Sequence, residues 1–539
     1  MQKIILLFAT FVIQSFIYSQ ENLQRPKLVV GIVVDQMSWD YLYRYYDRYE
    51  ANGGFKKLLN KGFSCENTLI PYTPTVTACG HAGIYTGSVP AIHGIAGNSW
   101  WDNTLNKNVY CTEDDTAQTV GSLTALGRMS PRNLLTTTIC DELRMATNFR
   151  SKVIGIALKD RGSILPAGHS ANAAYWYDNK TGDWITSSYY MKELPQWVKD
   201  INSKKLVDKY YEAGWNTLYP IDTYLQSTED EKTYENKTFG DHFPYDLKKH
   251  VSKNYSFIAA TPHGNTFTFE MAKAALLSEQ LGKNTVTDFL AISLSSPDYI
   301  GHTFGTNAIE TEDNYLRLDK DLGEFLNFLN EKVGEGQYLL FLSADHAAAH
   351  TPGFLKEHKI PAGNFNTEAL IAKMNKQLND KFNLNDLIID ISNYQLYLNH
   401  PAINSSKIKE KDIRKWIIDS LEKKPGIARA FELDALQQTT LNSKIKEMVA
   451  NSYFPQRCGD IQLIFEPHWI DGFEAGGTTH GAWNPYDAHI PLLWYGWNIK
   501  QGKSNREVKM TDIAPTIAAL LHIQMPSGTI GQVIEEVIK

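Results

Sequence analysis

Carboxylate and imidazole side chains stand in this sequence at spacings that suit metal coordination. Asp298 and His302 are four residues apart, so one turn of helix would present both on the same face. Asp345 and His346 are adjacent, and Asp35 directly follows an apolar run. Imidazole and carboxylate ligands without thiolates suit Zn²⁺ best, with Mn²⁺ or iron as lesser options. These residues therefore predict a metal site.

Two further histidines compete for a place among these ligands. His480 lies in the stretch Gly-Gly-Thr-Thr-His-Gly, whose glycines allow the backbone to bring it toward the others. His346 and His350 are four residues apart, a spacing that can also bind zinc. We rank His350 lower, because it has no carboxylate neighbour and lies farther from the preceding apolar run.

Thr77 is a candidate nucleophile. If a helix begins near Thr77, its hydroxyl lies at the positive end of the helix dipole, beside free backbone N–H groups. That position suits an anion and favours an oxygen nucleophile close to its alkoxide form. Taken by itself, however, the stretch Thr73–His81 is more simply interpreted as a helix with a threonine N-cap.

Two cations indicate what such a site would bind. In an extended chain, Lys159 and Arg161 would point to one side and Asp160 to the other. Two cations beside two metal ions suggest a highly anionic ligand, and phosphate is the natural one. A surface patch of ion pairs is the alternative interpretation.

The elements that position these groups have the pattern of buried strands. Such strands are apolar at nearly every position, as in the four runs Leu28–Val34, Lys152–Leu158, Phe289–Ser295 and Tyr338–Ser343. Segments with helical spacing of apolar residues separate the four runs. Each run is followed by one of the carboxylates, imidazoles or cations described above. Because ligands bind beyond the carboxyl ends of strands in open α/β sheets, we expect the groups to converge on one crevice. The predicted fold is α/β, a doubly wound and mostly parallel sheet.

Two segments interrupt this alternation. Residues from about 165 to 262 are rich in aromatic and turn residues, and predict an inserted cap with a hairpin around Asn179–Gly182. Residues from about 356 to 475 contain alternating, strand-like stretches at 394–398 and 460–465, and predict a small β-containing subdomain. The whole catalytic domain is expected to occupy residues 20–539.

The first residues predict export. Lys3, the apolar run Ile4–Ile17 and the small Ser19 are typical of a secretory signal peptide over residues 1–19, so the mature chain would begin near Gln20. The apolar run is shorter than the roughly 20 residues that span a membrane, and no later stretch supplies them. We expect a periplasmic or secreted protein without membrane insertion.

Charge and cysteine content exclude several classes of protein. The formal net charge is −7 over 539 residues, and −8 without Lys3, which argues against a nucleic-acid or anionic-membrane binder. The five cysteines are dispersed without a CxxC pair, which excludes a disulfide scaffold and a thiolate metal site. At least one thiol is expected to be free, and whether any pair is bonded stays open.

The order of these motifs resembles that of the alkaline phosphatase superfamily. The motifs are, in order, Asp35 at a strand end, Thr75-Val-Thr77, Gly97-Asn98, Asp298-x-x-x-His302, Asp345-His346 and Gly-Gly-Thr-Thr-His480. With Lys159-Asp-Arg161 added, the chain is most similar to the phosphate-irrepressible alkaline phosphatases, which use a threonine nucleophile, and the resemblance runs from about Leu28 to the C-terminus. One difference is Ala347, since the family often has Gly after the Asp-His pair.

The resemblance implies hydrolysis of small phosphate monoesters through a phosphothreonine on Thr77, with two Zn²⁺ ions per subunit. One zinc would be held by Asp298, His302 and His480. The other would be held by Asp35, Thr77, Asp345 and His346. The non-bridging phosphoryl oxygens would be contacted by Asn98, Lys159 and Arg161. The natural monoester and the oligomeric state stay open, with a monomer as one option.

Other interpretations compete with this one. A phosphodiesterase or nucleotide pyrophosphatase of the same superfamily shares the metals and the threonine, but usually lacks the lysine–arginine pair. A non-catalytic zinc-dependent binding module of the envelope is the alternative from a different class. A sulfatase would need a Cys-x-Pro-x-Arg type of motif, whereas Cys79 is followed by Gly-His-Ala-Gly. A lipid phosphoethanolamine transferase would carry several transmembrane helices, and the sequence has no apolar stretches long enough to predict them.

Overall fold

The computed structural model describes residues 23–235, 240, 242–472 and 476–539, so the predicted signal peptide lies outside the described residues. The strands are β1 (Leu28–Val34), β2 (Phe63–Cys65), β3 (Thr68–Leu69), β4 (Ser99–Asp102), β5 (Lys107–Tyr110), β6 (Thr119–Val120), β7 (Val153–Ala157), β8 (Ala173–Asp178), β9 (Asp183–Ser187), β10 (Asp288–Leu294), β11 (Tyr338–Ser343), β12 (Gly363–Phe365), β13 (Ile388–Ser392), β14 (Gln395–Leu398), β15 (Ile427–Glu432), β16 (Ile461–Phe465), β17 (Trp469–Asp471), β18 (His489–Ile490), β19 (Leu492–Gly496), β20 (Gly502–Ser504) and β21 (Val508–Lys509).

Helices alternate with these strands along most of the chain. They are α1 (Tyr41–Arg44), α2 (Gly54–Lys61), α3 (Thr77–Thr86), α4 (Pro90–His93), α5 (Ile139–Ala146), α6 (Asp160–Ala167), α7 (Gln196–Ser203), α8 (Leu206–Ala213), α9 (His263–Ser278), α10 (Ser296–Phe304), α11 (Ile309–Lys332), α12 (Pro352–Glu357), α13 (Thr367–Phe382), α14 (His400–Asn404), α15 (Glu410–Leu421), α16 (Ser443–Ser452), α17 (Pro485–Ala488) and α18 (Ile513–Leu521).

The central sheet has the strand order β20-β2-β19-β11-β1-β10-β7-β8-β9-β6. Strands β11, β1, β10, β7 and β8 pair in parallel, whereas β19 and β9 pair antiparallel to their neighbours. The four runs predicted as buried strands are β1, β7, β10 and β11, within one residue at each end, and all their residues are buried. The prediction of a mostly parallel α/β sheet is confirmed.

Helices cover both faces of this sheet, as the doubly wound arrangement requires. One layer contains α3, α5, α6 and α18, which pack against one another. The other layer contains α2, α9, α10 and α11, joined by contacts of α11 with each of the others. Strands β7 and β10 contact α6 of the first layer and α9 of the second. Coverage on both sides explains why these strands are apolar at successive positions.

The two segments that interrupt the alternation contain different structures. Strands β8 and β9 form the hairpin predicted around Asn179–Gly182, and they extend the central sheet at one edge. A separate four-stranded sheet, in the order β13-β14-β16-β15, packs with α13 and α15 around its own apolar core. We call the part of the chain from Gly363 to Asp471 the small domain. The assignment of residues 165–262 as a cap stays a prediction.

Two features discussed for the sequence, the cysteines and membrane-spanning segments, can be examined in the described residues. All five cysteines lie within the described ranges, and each is buried with a free thiol. No helix in those ranges is both long and apolar enough to cross a membrane.

Candidate active site

The carboxyl ends of two neighbouring central strands bring three of the predicted ligands together. Asp35 directly follows β1, and Asp345 and His346 follow β11. These strands pair in parallel, with Val33 opposite Ser343, so their polar ends lie at the same level. All three side chains are fully buried. The convergence of polar groups expected at the carboxyl edge of the sheet is therefore present for these three residues.

Helix α10 and the glycine-rich loop contribute the next three residues. Asp298 and His302 lie one turn apart on α10, and His302 Nε2 is 3.2 Å from Asp298 Oδ1. His480 Nε2 approaches the same oxygen from the loop, at 3.4 Å. The loop is close-packed here, since a Cβ on Gly477, which has φ +81°, would lie 2.0 Å from the carbonyl oxygen of His302. Glycine is therefore required both for the backbone angle and for the close approach.

Five of these six residues form two groups of potential ligand atoms that share one histidine. Donor atoms within 4.8 Å of one another come from Asp298, His346 and His480 in one group, and from Asp35, Asp345 and His346 in the other. The rings of His346 and His480 stack with centroids 3.5 Å apart. His302 lies at the rim, with its side chain 36% exposed. The structure therefore places His346 between the two groups, whereas the resemblance assigns it to one of them.

The hydrogen bonds of the three imidazoles orient them as metal ligands. The Nδ1 atom of His346 lies 3.0 Å from the carbonyl oxygen of Ala347, that of His302 lies 2.7 Å from Thr478 O, and that of His480 lies 2.7 Å from Thr75 O. A ring that donates through Nδ1 to a carbonyl presents the lone pair of Nε2 on its other side. All three Nε2 atoms face the carboxylates described above.

Three buried polar atoms in the second group have no hydrogen-bond partner in the protein. They are Asp35 Oδ1, Asp345 Oδ2 and His346 Nε2. His346 Nε2 lies 3.5 Å from each of the two carboxylate oxygens, which is too far for a good hydrogen bond. Because unpaired buried polar groups are costly, atoms converging in this way fit a bound divalent cation. The residues present therefore suit the metal that the resemblance implies.

Burial shifts the pKa values of several of these ligand side chains. It raises the pKa of Asp35 well above its ordinary value, and the neighbouring carboxylate of Asp345 adds to the effect. Burial lowers the pKa of His346 to about 3, although Asp345 opposes this shift. It also lowers the pKa of His480. The two imidazoles are therefore neutral near pH 7, which is the form that binds metals.

Thr77 is the first residue of α3, as the nucleophile hypothesis requires. The N-cap is Val76, in an extended conformation, and no side chain caps the helix from that position. The Thr77 hydroxyl is therefore not used as a cap, so the simpler interpretation of this stretch does not apply. Asn98 Oδ1 instead accepts from the backbone N–H of Ala78 at 2.9 Å. That bond fixes the Asn98 side chain beside Thr77 and leaves its amide NH₂ as a donor.

Lys159 lies where the two groups of ligands meet. Its Nζ is 2.7 Å from Asp35 Oδ2, 2.6 Å from Asp298 Oδ2 and 3.4 Å from Thr77 Oγ1. Burial acts to lower the pKa of Lys159, but Asp298 and Asp35 outweigh it and hold the pKa above its ordinary value. The ammonium group is therefore charged, although its side chain is nearly inaccessible.

The prediction that Lys159 and Arg161 extend from a continuous extended chain is wrong. Only Lys159 is extended, because α6 begins at Asp160 and places Arg161 in its first turn. Arg161 Nη1 donates to Tyr110 Oη at 3.0 Å, and Tyr110 donates in turn to Asp160 Oδ1 at 2.9 Å. Asp160 and Arg161 therefore share a partner instead of pointing apart, since consecutive residues on a helix are about 100° apart.

Three other residues from the sequence analysis, namely Thr75, His350 and Ala347, lie outside the two groups of ligands. Thr75 Oγ1 donates to the carbonyl oxygen of Ala482 at 3.0 Å, so this threonine holds the loop that carries His480. His350 Nδ1 lies 2.7 Å from Asn307 Oδ1, away from the carboxylates. Ala347 is buried, and its N–H donates to Asp487 O at 2.9 Å.

A further group of acidic and imidazole side chains lies in the small domain. His400, Glu410 and Asp460 have ligand atoms within 4.8 Å of one another. Arg414, however, contacts both carboxylates, at 2.6 Å from Glu410 Oε1 and 3.0 Å from Asp460 Oδ1. The arginine balances their charge, so we interpret this group as an ion-pair network.

Sequence reasoning missed two residues that hold the carboxylates in place. Gln36 donates through its backbone N–H to Asp345 Oδ1 at 3.1 Å and through Nε2 to Asp298 Oδ1 at 2.7 Å. His81, fully buried on α3, has Nδ1 2.9 Å from the carbonyl oxygen of Thr77 and 3.3 Å from Asp345 Oδ2, and Nε2 2.8 Å from Ser293 Oγ. The four-residue spacing of Thr77 and His81 was the available signal, because it places both on one face of a helix.

If the metal that the resemblance implies binds here, we expect His81→Ala to reduce both its affinity and kcat/KM by about 10- to 100-fold, the usual cost of losing a side chain in contact with a metal ligand. Asn at this position can place an N–H near the Nδ1 position, so His81→Asn should recover part of both losses. Zinc affinity is measured by competition with a chelator, and kcat/KM with p-nitrophenyl phosphate. If His81→Ala melts at a lower temperature but keeps both quantities, the residue is structural only.

The chain matches known proteins over nearly its whole length. It matches the family described as type I phosphodiesterase / nucleotide pyrophosphatase over residues 29–487. A protein named calcium-transporting ATPase, from Myroides odoratus, is 54% identical over 530 residues, which cover 97% of this chain and 96% of that protein. Alkaline phosphatase PhoV of Synechococcus elongatus is 53% identical over 526 residues, which cover 96% of this chain and 94% of that protein. The crystal structure of wild-type alkaline phosphatase PafA superposes with a TM-score of 0.94 at 50% identity, covering 96% of this chain and 100% of that one.

Proposed function

This chain belongs to the type I phosphodiesterase / nucleotide pyrophosphatase family of the alkaline phosphatase superfamily, and on that basis we propose that it is a zinc-dependent phosphate monoester hydrolase with a phosphothreonine intermediate on Thr77. Its similarity to alkaline phosphatases PhoV and PafA supports monoester hydrolysis. The relative from Myroides is named for ATP hydrolysis, which is also a transfer of a phosphoryl group to water.

The observation that carries the proposal is the position of Lys159. Its ammonium group contacts one carboxylate from each group of ligands and lies 3.4 Å from the Thr77 hydroxyl. A phosphate monoester dianion has three non-bridging oxygens, whereas a diester has two and less charge. A buried cation beside the nucleophile therefore favours the monoester.

The side chains of this site can each be given a task. The Thr77 hydroxyl loses its proton as its oxygen attacks phosphorus, the phosphorus–alcohol oxygen bond breaks, and the leaving alkoxide takes up one proton in exchange. Water then cleaves the phosphothreonine, which releases phosphate and restores the hydroxyl. Lys159, the Asn98 amide and Arg161 bind the phosphoryl oxygens throughout, and Arg161 Nε is buried without a partner in the protein. Phosphoryl transfer needs mainly such positioning and charge stabilisation.

Zinc is the cofactor that we propose for this site. The ligands would be Asp298, His302 and His480 for one ion, and Asp35, Thr77, Asp345 and His346 for the other. Bound Zn²⁺ would supply Lewis-acid stabilisation of the attacking and leaving oxygens. The proposal includes export, because residues 1–19 have the pattern of a signal peptide.

A phosphodiesterase or nucleotide pyrophosphatase is the second candidate, favoured by the description of the matching family. Such an enzyme would use the same threonine and metals. The two candidates differ in what Lys159 and Arg161 contribute, because their charges matter more for a dianionic monoester.

We expect the double substitution Lys159→Ala/Arg161→Ala to lower monoester kcat/KM by about 10²–10⁴-fold, at about 1.5–3 kcal/mol for each charge-assisted hydrogen bond lost. Diester hydrolysis should fall much less. The measurement is kcat/KM for p-nitrophenyl phosphate and for bis-p-nitrophenyl phosphate, in the wild type and the variant.

The matched control is Lys205→Ala/Arg506→Ala, which removes the same charge from two exposed ion pairs elsewhere. It should leave both substrates unaffected. Equal losses for the two substrates in Lys159→Ala/Arg161→Ala would make the pair structural. A wild type that already prefers the diester would support the phosphodiesterase instead.

A further inference from the structure

A small cavity opens beside the candidate site, between the central domain and the small domain. Its volume is about 140 Å³. Its walls include Val76, Ile391, Tyr394, Phe465, Asp471 and His480. Val76 directly precedes the proposed nucleophile, and His480 is one of the proposed zinc ligands. The cavity therefore borders the two stretches of chain that carry these residues.

The turn between β13 and β14 connects the wall of this cavity to the site. Its two residues, Asn393 and Tyr394, have φ angles of +54° and +60°. Asn393 Nδ2 donates to the carbonyl oxygen of Ser99 at 2.8 Å, next to Asn98, and Tyr394 Oη donates to the carbonyl oxygen of His480 at 3.3 Å. Positive φ angles at both positions are what a two-residue type I′ hairpin turn requires, so the hairpin itself fixes the two residues that make these contacts.

The position of the cavity suits the alcohol part of a phosphate monoester. Lys159, Arg161 and Asn98 do not line it, although we propose that they bind the non-bridging phosphoryl oxygens. His480 does line it, and belongs to the ligand group with Asp298 that is not assigned to Thr77. In an in-line displacement the leaving oxygen lies opposite the attacking oxygen. On the proposed zinc assignment, the alcohol would depart on the side of His480.

The size and the walls of the cavity restrict which alcohols fit. Clefts for drug-sized ligands measure roughly 300–1,000 Å³, so a cavity of about 140 Å³ takes a compact group. Ile391, Phe465 and the ring of Tyr394 provide apolar and aromatic surface. Asp471 provides the charge, and no lysine or arginine lines the cavity among the described residues.

Asp471 is ionised above pH 7, where the activity of an alkaline phosphatase would be measured. Burial raises its pKa to about 6, while a hydrogen bond from Thr367 opposes the shift. Thr367 Oγ1 lies 3.2 Å from each carboxylate oxygen and holds the group in place. Above pH 7 the cavity therefore presents a fixed negative charge together with two aromatic rings. Carboxylates and aromatic faces both attract ammonium groups.

We propose that this cavity binds the alcohol part of the substrate and selects compact alcohols that carry an ammonium group, with Asp471 as the residue that determines this specificity. The inference rests on the proposed monoester hydrolysis. It adds a substrate class to that function, namely phosphate esters of small amino alcohols, in preference to neutral esters of the same shape and to esters that carry a further negative charge.

Choline phosphate and 3,3-dimethylbutyl phosphate provide the test, because the two alcohols have nearly the same shape and differ in charge. We expect wild-type kcat/KM to favour choline phosphate by about tenfold, equivalent to about 1.4 kcal/mol. In Asp471→Asn, which keeps the size of the side chain, the ratio should fall by most of this factor, toward the value set by the lower pKa of the choline hydroxyl as a leaving group. The value for 3,3-dimethylbutyl phosphate itself should change little.

Asp412→Asn is the matched control, since it removes an exposed carboxylate on α15 of the same domain, away from the cavity wall. It should leave the ratio near its wild-type value. Equal rates for the two esters in the wild type would overturn the proposal, as would a ratio that survives in Asp471→Asn or falls equally in Asp412→Asn.

A second variant tests the cavity independently of charge. Ile391→Phe adds volume to its wall, so it should lower kcat/KM for choline phosphate more than for methyl phosphate, whose alcohol does not need the cavity. Equal effects on the two esters would contradict the assignment. If the wild type hydrolyses neither p-nitrophenyl phosphate nor any of these esters, the proposed function itself is wrong. If p-nitrophenyl phosphate is hydrolysed normally but the enzyme does not discriminate between choline phosphate and 3,3-dimethylbutyl phosphate, only the alcohol site is refuted.

Discussion

Thr77→Ala should lower kcat for p-nitrophenyl phosphate by on the order of 10⁴–10⁶-fold, because removal of a covalent nucleophile leaves only binding and electrostatic stabilisation. The structure gives three reasons to expect this. Thr77 is buried at the first position of α3, its hydroxyl does not cap the helix, and Lys159 Nζ lies 3.4 Å from its oxygen. A hydroxyl in this position is available for attack and is close to a charge that stabilises an anion.

The control is Thr75→Ala, two residues earlier in the same loop. Thr75 Oγ1 donates to the carbonyl oxygen of Ala482, so its loss should loosen the His480 loop and cost far less activity than the loss of Thr77. Thr77→Ser keeps a hydroxyl and should retain much of the turnover. Mass spectrometry of acid-quenched enzyme should show phosphate on Thr77. Wild-type turnover in Thr77→Ala would refute the assignment of the nucleophile.

Removal of the metal should abolish activity, and Zn²⁺ should restore it. The physical reason is the group of converging buried atoms, Asp35 Oδ1, Asp345 Oδ2 and His346 Nε2, which have no partner in the protein. A cation that binds the folded state alone stabilises it by RT ln(1 + [L]/Kd), about 4 kcal/mol at a thousandfold excess over Kd. Chelated protein should therefore also melt at a lower temperature.

Three measurements check this prediction on the same samples. Elemental analysis should give two zinc ions per chain, kcat should return with added Zn²⁺, and the melting temperature should rise in parallel. Mg²⁺ serves as the control, since it prefers oxygen ligands and near-octahedral geometry to sites with three histidines. Full activity in exhaustively chelated protein that contains no metal would contradict the prediction, whatever the melting temperature.

The central sheet could be predicted from sequence because its strands are covered on both faces. Such strands are apolar at successive positions, and β1, β7, β10 and β11 have this pattern with ends correct to within one residue. The four-residue spacing of Asp298 and His302 was also sufficient, because helical geometry alone places them on one face. Both inferences depend on local periodicity, which a sequence shows directly.

The small domain's contribution to the site could not be predicted in this way. Asn393 and Tyr394 reach the Asn98 and His480 loops across more than 80 residues of intervening sequence, and no periodicity records such contacts. The geometry of Lys159 and Arg161 was predicted incorrectly for a related reason. Whether a chain leaves a strand in extended form or enters a helix at once depends on what the next element packs against, and α6 packs against β7 and β8.

The sequence by itself determined the chemical inventory and its coarse placement, namely carboxylates, imidazoles, a threonine and two cations at the ends of buried strands. Residue type and short-range spacing are sufficient for that, because they set which atoms are available and on which face of an element they lie. Only the tertiary structure decided that His346 lies between both groups of ligands and that Lys159 bridges Asp35 and Asp298. These relations depend on distances of a few ångströms between side chains on different elements, which are set by packing and not by spacing along the chain.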